Sequence, residues 1–492
     1  MTRLKSAVLS RTEILRTPHA GILVSLALLA MAMRAPHAVW GDTWFNLVLG
    51  REIAAGGLVV RNTLTEQGFG VPCVDQQWLA HATYYAIATH FGLEGVVVVA
   101  SIATAGAFVA AVGFALTGGA TPGRTLALGV VALGVIMSQT VARAQTLAVS
   151  FLIAFPVVLA RDARSPSRRT WWLVPCAVVW ANLHGSVLLA PAMGWLLLVG
   201  RAVDAKRRRE PIARRVLVRD ALLTASFAAA VFASPYGARL PAYYQSTVTN
   251  PAFRAYISEW QPPSPTEAPG ALLLCAIVFS VVVASVRVMP TFESSLAVLL
   301  AIATLNGERY ATPLALVAAA LLPRWADSAL GTHFRVESDR VLQIVSRALL
   351  PVSVIAFAGI PFIAAHAVHS QFSADFTDRV AMAADGHGHI LADEAHADRL
   401  LWFHPELKGR VSHDARVETL GVDFLRALAR AYDSPDAPAS RTLRDSYGVV
   451  VVDRKLHRRL FESMSRDPGW APLAADGYAS AFVARAADEP AR

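Results

Sequence analysis

Long apolar runs alternate with short polar connections over the first three quarters of the chain, and this pattern predicts a helical membrane domain. A helix that crosses a bilayer needs about 20 mostly apolar residues. Runs near that length predict eleven spans, near residues 19–39, 94–117, 125–142, 145–160, 171–184, 186–203, 218–234, 269–286, 289–306, 310–323 and 348–366. The first run is longer than the apolar region of a signal peptide and no small-residue cleavage site follows it, which favours a retained span.

Residues 76–91 are apolar but interrupted by polar groups, which predicts a partly buried or re-entrant helix instead of a full pass. The distribution of basic residues agrees, because cytoplasmic loops are enriched in Lys and Arg. Arg3, Lys5, Arg11 and Arg16 precede the first span. The arginine-rich loops 161–170 and 204–217 lie on the cytoplasmic side, with the N-terminus, only if 76–91 is not a span. We therefore expect a cytoplasmic N-terminus and an extracytoplasmic C-terminus.

The pattern changes after residue 366. The short segments 388–393, 409–414, 447–454 and 479–485 predict strands, the third with a fully apolar run at 449–452. The segments 395–403, 417–432 and 455–466 predict helices between them. Strands that alternate with helices indicate a small α/β layer with a partly parallel sheet. The predicted fold class is a polytopic α-helical membrane protein, with a membrane domain at 1–366, a first outer loop at 41–93 and an extracytoplasmic α/β domain at 367–492.

Composition excludes several classes of protein. Of the 492 residues, 54% are hydrophobic and 16% are charged, whereas a soluble domain carries about 25% charged residues. The mean hydropathy is +0.43. These values exclude a soluble cytosolic enzyme, a disordered protein and, with only three cysteines, a disulfide-rich secreted domain.

The net charge of +9 does not indicate a nucleic-acid partner, because the charge is unevenly distributed. Residues 1–366 carry 29 Lys+Arg and 17 Asp+Glu, hence +12, and residues 367–492 carry 16 and 19, hence −3. The basic excess belongs to the membrane domain, where it sets the topology.

Polar residues gather on the outer side of this topology. Ionisable groups at a membrane boundary are costly, so they are candidates for function. The alternative for any single residue is that it caps a span or anchors it among lipid headgroups. The candidates come from separate segments of the chain: Asp42, Asp75, Arg143 with Gln145, His184, Tyr236, Glu259 and Arg309, with Trp44 and Trp78 beside the two acids.

This set of side chains indicates a particular kind of chemistry. Asp42 or Glu259 could act as a general base on an acceptor hydroxyl. Arg143 and Arg309 could hold a phosphate, because guanidinium groups match its oxygens. His184 could donate to a leaving phosphate oxygen or orient a carboxylate. A base beside a phosphate site at the membrane boundary suits transfer from a lipid-linked phosphate donor.

The first outer loop also carries an apolar stripe formed by Phe45, Leu47, Val48, Leu49 and Ile53. Such a stripe is typical of a helix that lies in the headgroup plane. A helix packed on the bundle would show the same stripe, and the sequence leaves both readings open.

Over residues 20–325 the chain resembles bacterial multi-pass membrane glycosyltransferases of the GT-C class. The segments that carry the resemblance are, in chain order, Gly41-Asp42 with Trp44, Gly50 and Ile53; Asp75-Gln76-Gln77-Trp78-Leu79; Arg143 with Gln145; Asn182-Leu183-His184-Gly185; Pro235-Tyr236-Gly237; Glu259-Trp260-Gln261-Pro262; and Arg309. GT-C enzymes use polyprenyl-phosphate sugars and place an acidic residue of the first outer loop at the reaction centre.

The resemblance implies a role for each candidate. Asp42, Glu259 and His184 would be catalytic. The donor phosphate would be bound by Arg143, Arg309, Gln145 and Tyr236. Asp75, Trp44 and Trp78 would support the first loop. The implied partners are a polyprenyl-phosphate-linked sugar and an envelope glycan, lipid or protein acceptor, at a bacterial cytoplasmic membrane. No D-x-D signature occurs in the first loop, so we expect no cofactor, and a divalent metal has no support in the sequence.

The chain departs from the family pattern at two places. Asn46 stands where relatives often have a His, and Gln76-Gln77 stand where they often have His-Glu. These departures leave open a changed donor or a non-catalytic scaffold in envelope biogenesis. A transporter or flippase is a further alternative, for which polar residues through the bundle midplane and inverted repeats would be expected.

Overall fold

The computed structural model describes residues 17–248, 255–331 and 339–485; the basic residues predicted to precede the first span lie outside these ranges. Helices form most of the described chain. Those of the first part are, in order, α1 (Pro18–Arg34), α2 (Asp42–Gly56), α3 (Trp78–Thr117), α4 (Pro122–Ser138), α5 (Ala144–Arg164), α6 (Leu173–Leu183), α7 (Leu189–Arg208), α8 (Arg214–Val231), α9 (Leu240–Val248), α10 (Pro269–Ser285), α11 (Thr291–Asn306), α12 (Ala311–Leu330), α13 (Asp339–Ala358) and α14 (Ile360–Gln371).

The helices confirm a helical membrane protein but not the predicted eleven spans. Within the described residues, five helices are long and apolar enough to cross a bilayer: Pro18–His37, Trp78–Thr117, Ala144–Arg164, Gly185–Arg208 and Arg340–Ala358. Three shorter apolar helices are Pro122–Ser138, Pro269–Ser285 and Thr291–Asn306. The count was too high because hydropathy does not show where helices end: the run 171–184 holds a helix of only 11 residues, and the run 348–366 is divided between α13 and α14 at Gly359.

Gly92 divides α3 into two arms. Its φ of 67° and ψ of −178° are non-helical and fall in a region that is essentially reserved for glycine. The first arm contains the predicted re-entrant stretch 76–91 from Trp78 onward and packs on α2, where Gly50 lies against His81 and Tyr85. The helix as a whole also packs on α5 and α12 in the bundle. The interrupted stretch is thus a separate, partly buried arm.

The centre of the bundle is α12, whose residues 311–323 are all buried. It packs on α3, α4 and α10. The helix α13 is the opposite case, because only 6% of its most apolar window is buried, although it packs along α1. Since its outward side chains are apolar, α13 has the composition of a lipid-facing helix.

Two polar clusters lie at opposite ends of α5. Arg143 precedes its first residue, and Asp162 near its last turn pairs with Arg201 at 2.8 Å and Arg219 at 2.7 Å. A helix of 21 residues is about 30 Å long, and positions 151–160 between the clusters are apolar. The arginines of α5, α7 and α8 therefore share the end of the bundle that is remote from Arg143.

The last part of the chain forms an α/β layer. Its elements are α15 (Ala374–His387), β1 (Ile390–Leu391), α16 (Glu394–Phe403), α17 (Val422–Asp433), α18 (Pro438–Arg444), β2 (Val449–Asp453), α19 (Arg458–Arg466), β3 (Trp470–Ala475) and β4 (Ala479–Ala484). The strand order is β1-β2-β4-β3. The β1–β2 pair is parallel and the other two pairs are antiparallel, so the prediction of a partly parallel sheet is confirmed.

The strand predictions were wrong at two places. Residues 409–414 form no strand and contribute only bridges from Val411 to Ile390 and Thr65. The sequence pattern also missed β3, because its residues alternate irregularly and include Pro472. The predicted boundary at 366/367 falls inside α14.

The first outer loop joins the two parts. Arg51 on α2 donates hydrogen bonds to the carbonyls of Leu401 (2.6 Å) and Trp402 (2.7 Å) at the end of α16. Trp44, which is 1% exposed, packs on Phe372 and Phe403 with ring centroids 5.2 and 5.6 Å away. The apolar stripe of α2 is thus packed between α3 and α16, as expected for a helix packed on the bundle.

Candidate functional site

Asp42, Arg143 and Glu259 meet on the face of the bundle that carries α2. Arg143 Nη1 lies 3.7 Å from Asp42 Oδ2 and donates a hydrogen bond to Glu259 Oε1. The backbone next to Asp42 is held against the backbone next to Arg143, because Thr43 Oγ1 donates a hydrogen bond to the carbonyl of Ala142 at 2.8 Å. The start of α2 and the residue before Arg143 are therefore fixed to each other.

The charges in this cluster differ in exposure. The Arg143 side chain is 10% exposed, whereas those of Asp42 and Glu259 are 49% and 37% exposed. Partial removal from water raises the pKa of Asp42; Arg143 opposes this shift and Glu259 adds to it. Asp42 is therefore a solvent-accessible carboxylate with a raised pKa beside the buried Arg143 cation, a combination that suits a general base.

Arg309 lies close to the same cluster. Its guanidinium carbon is 4.1 Å from the centroid of the Trp260 ring, a cation–π geometry. Two short 3-10 turns, Ser258–Trp260 and Glu308–Tyr310, bring the residues together, and the Glu308 N–H donates to the carbonyl of Gln261 at 3.0 Å. Burial lowers the pKa of Arg309, against the opposing effect of Glu259.

A cavity of about 290 Å³ is lined by Gln145, His184 and Arg309 among other residues, whereas Asp42, Arg143 and Glu259 are not in its lining. His184 Nδ1 accepts a hydrogen bond from the Ser186 N–H at 3.1 Å and contacts Ser186 Oγ at 2.8 Å. Since Nδ1 is the acceptor, the proton of a neutral ring is on Nε2. The histidine is therefore set up as a hydrogen-bond donor through Nε2.

The second segment of the first loop is fixed to the end of α6. Trp78 Nε1 donates to Asn182 Oδ1 at 2.7 Å, and Gln76 Nε2 donates to the carbonyl of Ala181 at 2.6 Å. Asp75 Oδ1 lies 2.9 Å from His81 Nδ1, with both side chains almost fully buried. These contacts place Asp75 and Gln76 in the wall of the cavity.

Two predicted site residues have other positions. Tyr236 is 4% exposed, and its hydroxyl donates to the carbonyl of Val59 at 2.8 Å, so it holds the first loop and is not among the residues that line the cavity. Trp44 packs against the last part of the chain, as described above. Asn46, one of the departures from the family pattern, donates to the backbone carbonyl of Asp42 and so fixes the first turn of α2.

The sequence did not identify the contribution of the last domain to this site. Arg416 and Glu418 also line the cavity. Arg416 donates to Asp414 at 3.0 Å and to Asn62 Oδ1 of the first loop at 2.6 Å. Burial raises the pKa of Glu418 to about 7. The only signal was the acidic and basic cluster in 414–418, which has no membrane boundary next to it.

Within the described ranges, no group of three or more His, Cys, Asp or Glu side chains has an arrangement that could hold a metal ion. The acidic and basic side chains of the cluster and the cavity are the carboxylates of Asp42, Asp75, Glu259 and Glu418, the guanidinium groups of Arg143, Arg309 and Arg416, and the imidazoles of His81 and His184. Comparison with known proteins adds no relative, because no protein-family model and no curated protein matches this chain.

Proposed function

We propose that the protein is an integral-membrane glycosyltransferase that transfers a sugar from a polyprenyl-phosphate donor to an envelope glycan, lipid or protein acceptor. The contact of Arg143 with both Asp42 and Glu259 is the observation that carries the proposal. It puts a base and a second carboxylate beside a cation. Arg309, His184 and Gln145 line the cavity.

The proposed reaction is a single displacement with inversion. The Asp42 carboxylate takes the proton of the acceptor hydroxyl, and the acceptor oxygen forms a bond to the anomeric carbon. The bond from that carbon to the phosphate oxygen breaks, and its electron pair stays on the phosphate. Arg309 and Arg143 stabilise the developing charge, and His184 Nε2 donates to the phosphate. The products are the glycoside, polyprenyl phosphate and protonated Asp42.

We further propose that the site faces the extracytoplasmic side of a bacterial cytoplasmic membrane. The clustering of Arg201 and Arg219 around Asp162, at the far end of α5 from Arg143, supports this orientation, because basic residues favour the cytoplasmic side. Positions 151–160 of α5, between the two clusters, are apolar, and this supports the enzyme over the transporter along this helix.

The test is transfer of labelled sugar by the purified protein in lipid nanodiscs, with polyprenyl-phosphate sugars as donors and a bacterial envelope fraction as acceptor. Asp42→Asn is expected to lower the rate by about 100-fold or more, as for loss of a general base. The matched control is Asp375→Asn, which removes a carboxylate that is 71% exposed on α15 and is expected to keep full activity. Full activity of Asp42→Asn overturns the assigned base.

One observation favours the non-catalytic alternative. Asn46 and Gln76, which replace groups often present in the family, both donate hydrogen bonds to backbone carbonyls and so have structural roles. If the protein is a scaffold, the wild type transfers no sugar from any donor, and Asp42→Asn keeps its fold and its partners. Transfer by the wild type decides for the enzyme.

A further inference from the structure

The cavity has two chemically different regions. One carries the hydrogen-bond donors Arg309 and His184, and the other carries the oxygens of Asp75, Gln76 and Glu418. The two regions are neighbours: a Cβ built on Gly185, next to His184, would lie 3.4 Å from Gln76 Oε1. A ligand that fills the cavity must therefore be acidic at one end and rich in hydrogen-bond donors at the other.

The second region is notable for polar atoms without partners. Asp75, Gln76 and His81 are 6%, 1% and 2% exposed. Asp75 Oδ2, Gln76 Oε1 and His81 Nε2 accept or donate no hydrogen bond within the described residues. Buried polar atoms in proteins almost always have a partner. All three residues line the cavity, so a ligand with several hydroxyl groups would supply the missing partners.

Aromatic side chains supply the rest of the wall. Phe45, Tyr243 and Trp260 line the same cavity, and the Phe45 ring lies 5.4 Å from the His81 ring in an edge-on arrangement. Small-molecule sites combine such apolar walls with a few placed polar groups. A sugar ring has this double character, because its C–H faces are apolar and its edge carries hydroxyls.

The size and charge of the cavity further restrict the ligands that it can hold. A volume of about 290 Å³ is at the lower limit for pockets that hold drug-sized molecules, roughly 300–1,000 Å³, and suits one ring with its phosphate. Asp75, and Glu418 above its raised pKa of about 7, would repel a carboxylate carried by the ring. The Arg416 guanidinium in the same lining is already paired with Asp414. An anionic sugar is therefore disfavoured.

We propose that this cavity binds a single sugar ring without negative charge, whose hydroxyls donate to Asp75 and Gln76 while its phosphate meets Arg309 and His184. This inference rests on the proposed glycosyltransferase function and specifies its donor. Asp75 thereby becomes a specificity residue for the ring, in addition to its contact with His81.

The test compares two polyprenyl-phosphate donors that differ only at C6, a hexose and the corresponding hexuronate. Binding is measured by the thermal shift of the purified protein in nanodiscs, and transfer is measured with labelled sugar. We expect the hexose donor to bind at least about tenfold more tightly, since the hexuronate adds a like charge. In Asp75→Asn and separately in Glu418→Gln, the ratio of the two affinities should shrink several-fold toward one.

Asp375→Asn is the control and should leave the ratio unchanged. Two variants are used because Asp75→Asn also removes the negative charge beside His81 Nδ1, so Glu418→Gln tests the ring site separately. Equal or tighter binding of the hexuronate overturns the inference and leaves the glycosyltransferase standing. A wider panel of polyprenyl-phosphate sugars is tested in the same way. If the protein neither binds nor transfers from any of these donors, the proposed function is overturned, and this inference with it.

Discussion

The guanidinium of Arg143 donates a hydrogen bond to the carboxylate of Glu259. The two residues belong to segments far apart in the sequence, one at the start of α5 and the other in the turn that precedes α10. Their contact closes the ring of charged groups around Asp42. It is also the contact whose removal has the most specific consequences.

Arg143→Gln should lower both transfer activity and stability. We expect a fall of about 100-fold in the rate of sugar transfer, because a fixed cation at the developing phosphate charge is lost. The stability loss should be small, about 1 kcal/mol, since both carboxylates are more than one-third exposed and water screens such pairs. The control is Arg239→Gln, which changes an exposed arginine. Equal activity of the two variants would remove Arg143 from the site.

Gly92→Ala should destabilise the protein. The φ of 67° and ψ of −178° at this position cost a non-glycine residue about 1–3 kcal/mol. The measurement is the thermal unfolding midpoint in detergent, followed by tryptophan fluorescence. Gly106→Ala is the matched control in the helical second arm, where an added Cβ meets no atom within 4 Å and alanine is the better helix former. A lower midpoint for Gly106→Ala than for Gly92→Ala would contradict the break in α3.

Arg51→Ala should loosen the last domain from α2. The variant loses two hydrogen bonds from a charged donor to the carbonyls of Leu401 and Trp402, worth about 2 kcal/mol together. Hydrogen exchange of the α16 amides should become faster, whereas exchange in α12 should not change. Arg426→Ala, whose side chain is 61% exposed, should behave as wild type. Unchanged exchange in α16 would show that the domains are held elsewhere.

Asp393→Asn should destabilise the protein in a pH-dependent way. His396 Nδ1 lies 2.8 Å from Asp393 Oδ1 with both side chains buried. Burial acts to lower the pKa of His396, but the Asp393 charge outweighs it and the pKa is raised from 6.5. The pKa of Asp393 is lowered, because the contacts with His396 outweigh burial. Asparagine keeps the helix cap on α16 and removes only the charge.

The sign of this effect follows from linkage. The His396 contribution is fully present below pH 6.5 and is lost as the pH rises through its raised pKa. The Asp393 contribution is present above pH 3.8 and is lost as the pH falls through its lowered pKa. Between pH 3.8 and pH 6.5 the variant should therefore be about 2 kcal/mol less stable than the wild type, and the difference should be smaller at alkaline pH. A pH-independent loss would contradict a charged pair, and Asp375→Asn should show almost none.

The class of fold was predictable from the sequence, because apolar runs and short α/β segments have distinct periodicities. The number of spans was not. Hydropathy treats 348–366 as one run, yet the chain changes helix at Gly359, and the break at Gly92 depends on a backbone conformation that composition does not show. The irregular β3 was missed for a related reason, since its pairing with β4 is what makes it a strand.

Much of the candidate site was also visible in the sequence. Asp42, Arg143, Glu259 and Arg309 were selected because charges at membrane boundaries are costly, and the structure brings them together. Tyr236 was selected by the same signal but faces the first loop. Arg416 and Glu418 were missed because they reach the cavity through the folding of a separate domain, and no local pattern records such a long-range contact.

The walls of the cavity come from both ends of the chain, with Asp75 in the first loop and Arg416 in the last domain. Residues 42, 143, 184, 259 and 309 are all synthesised and inserted before residue 416 leaves the ribosome. A nascent membrane domain thus has the charged groups but not the enclosed pocket. Completion of the pocket coincides with folding of the final domain, so a truncated or stalled chain would hold the carboxylates without a place in which to use them.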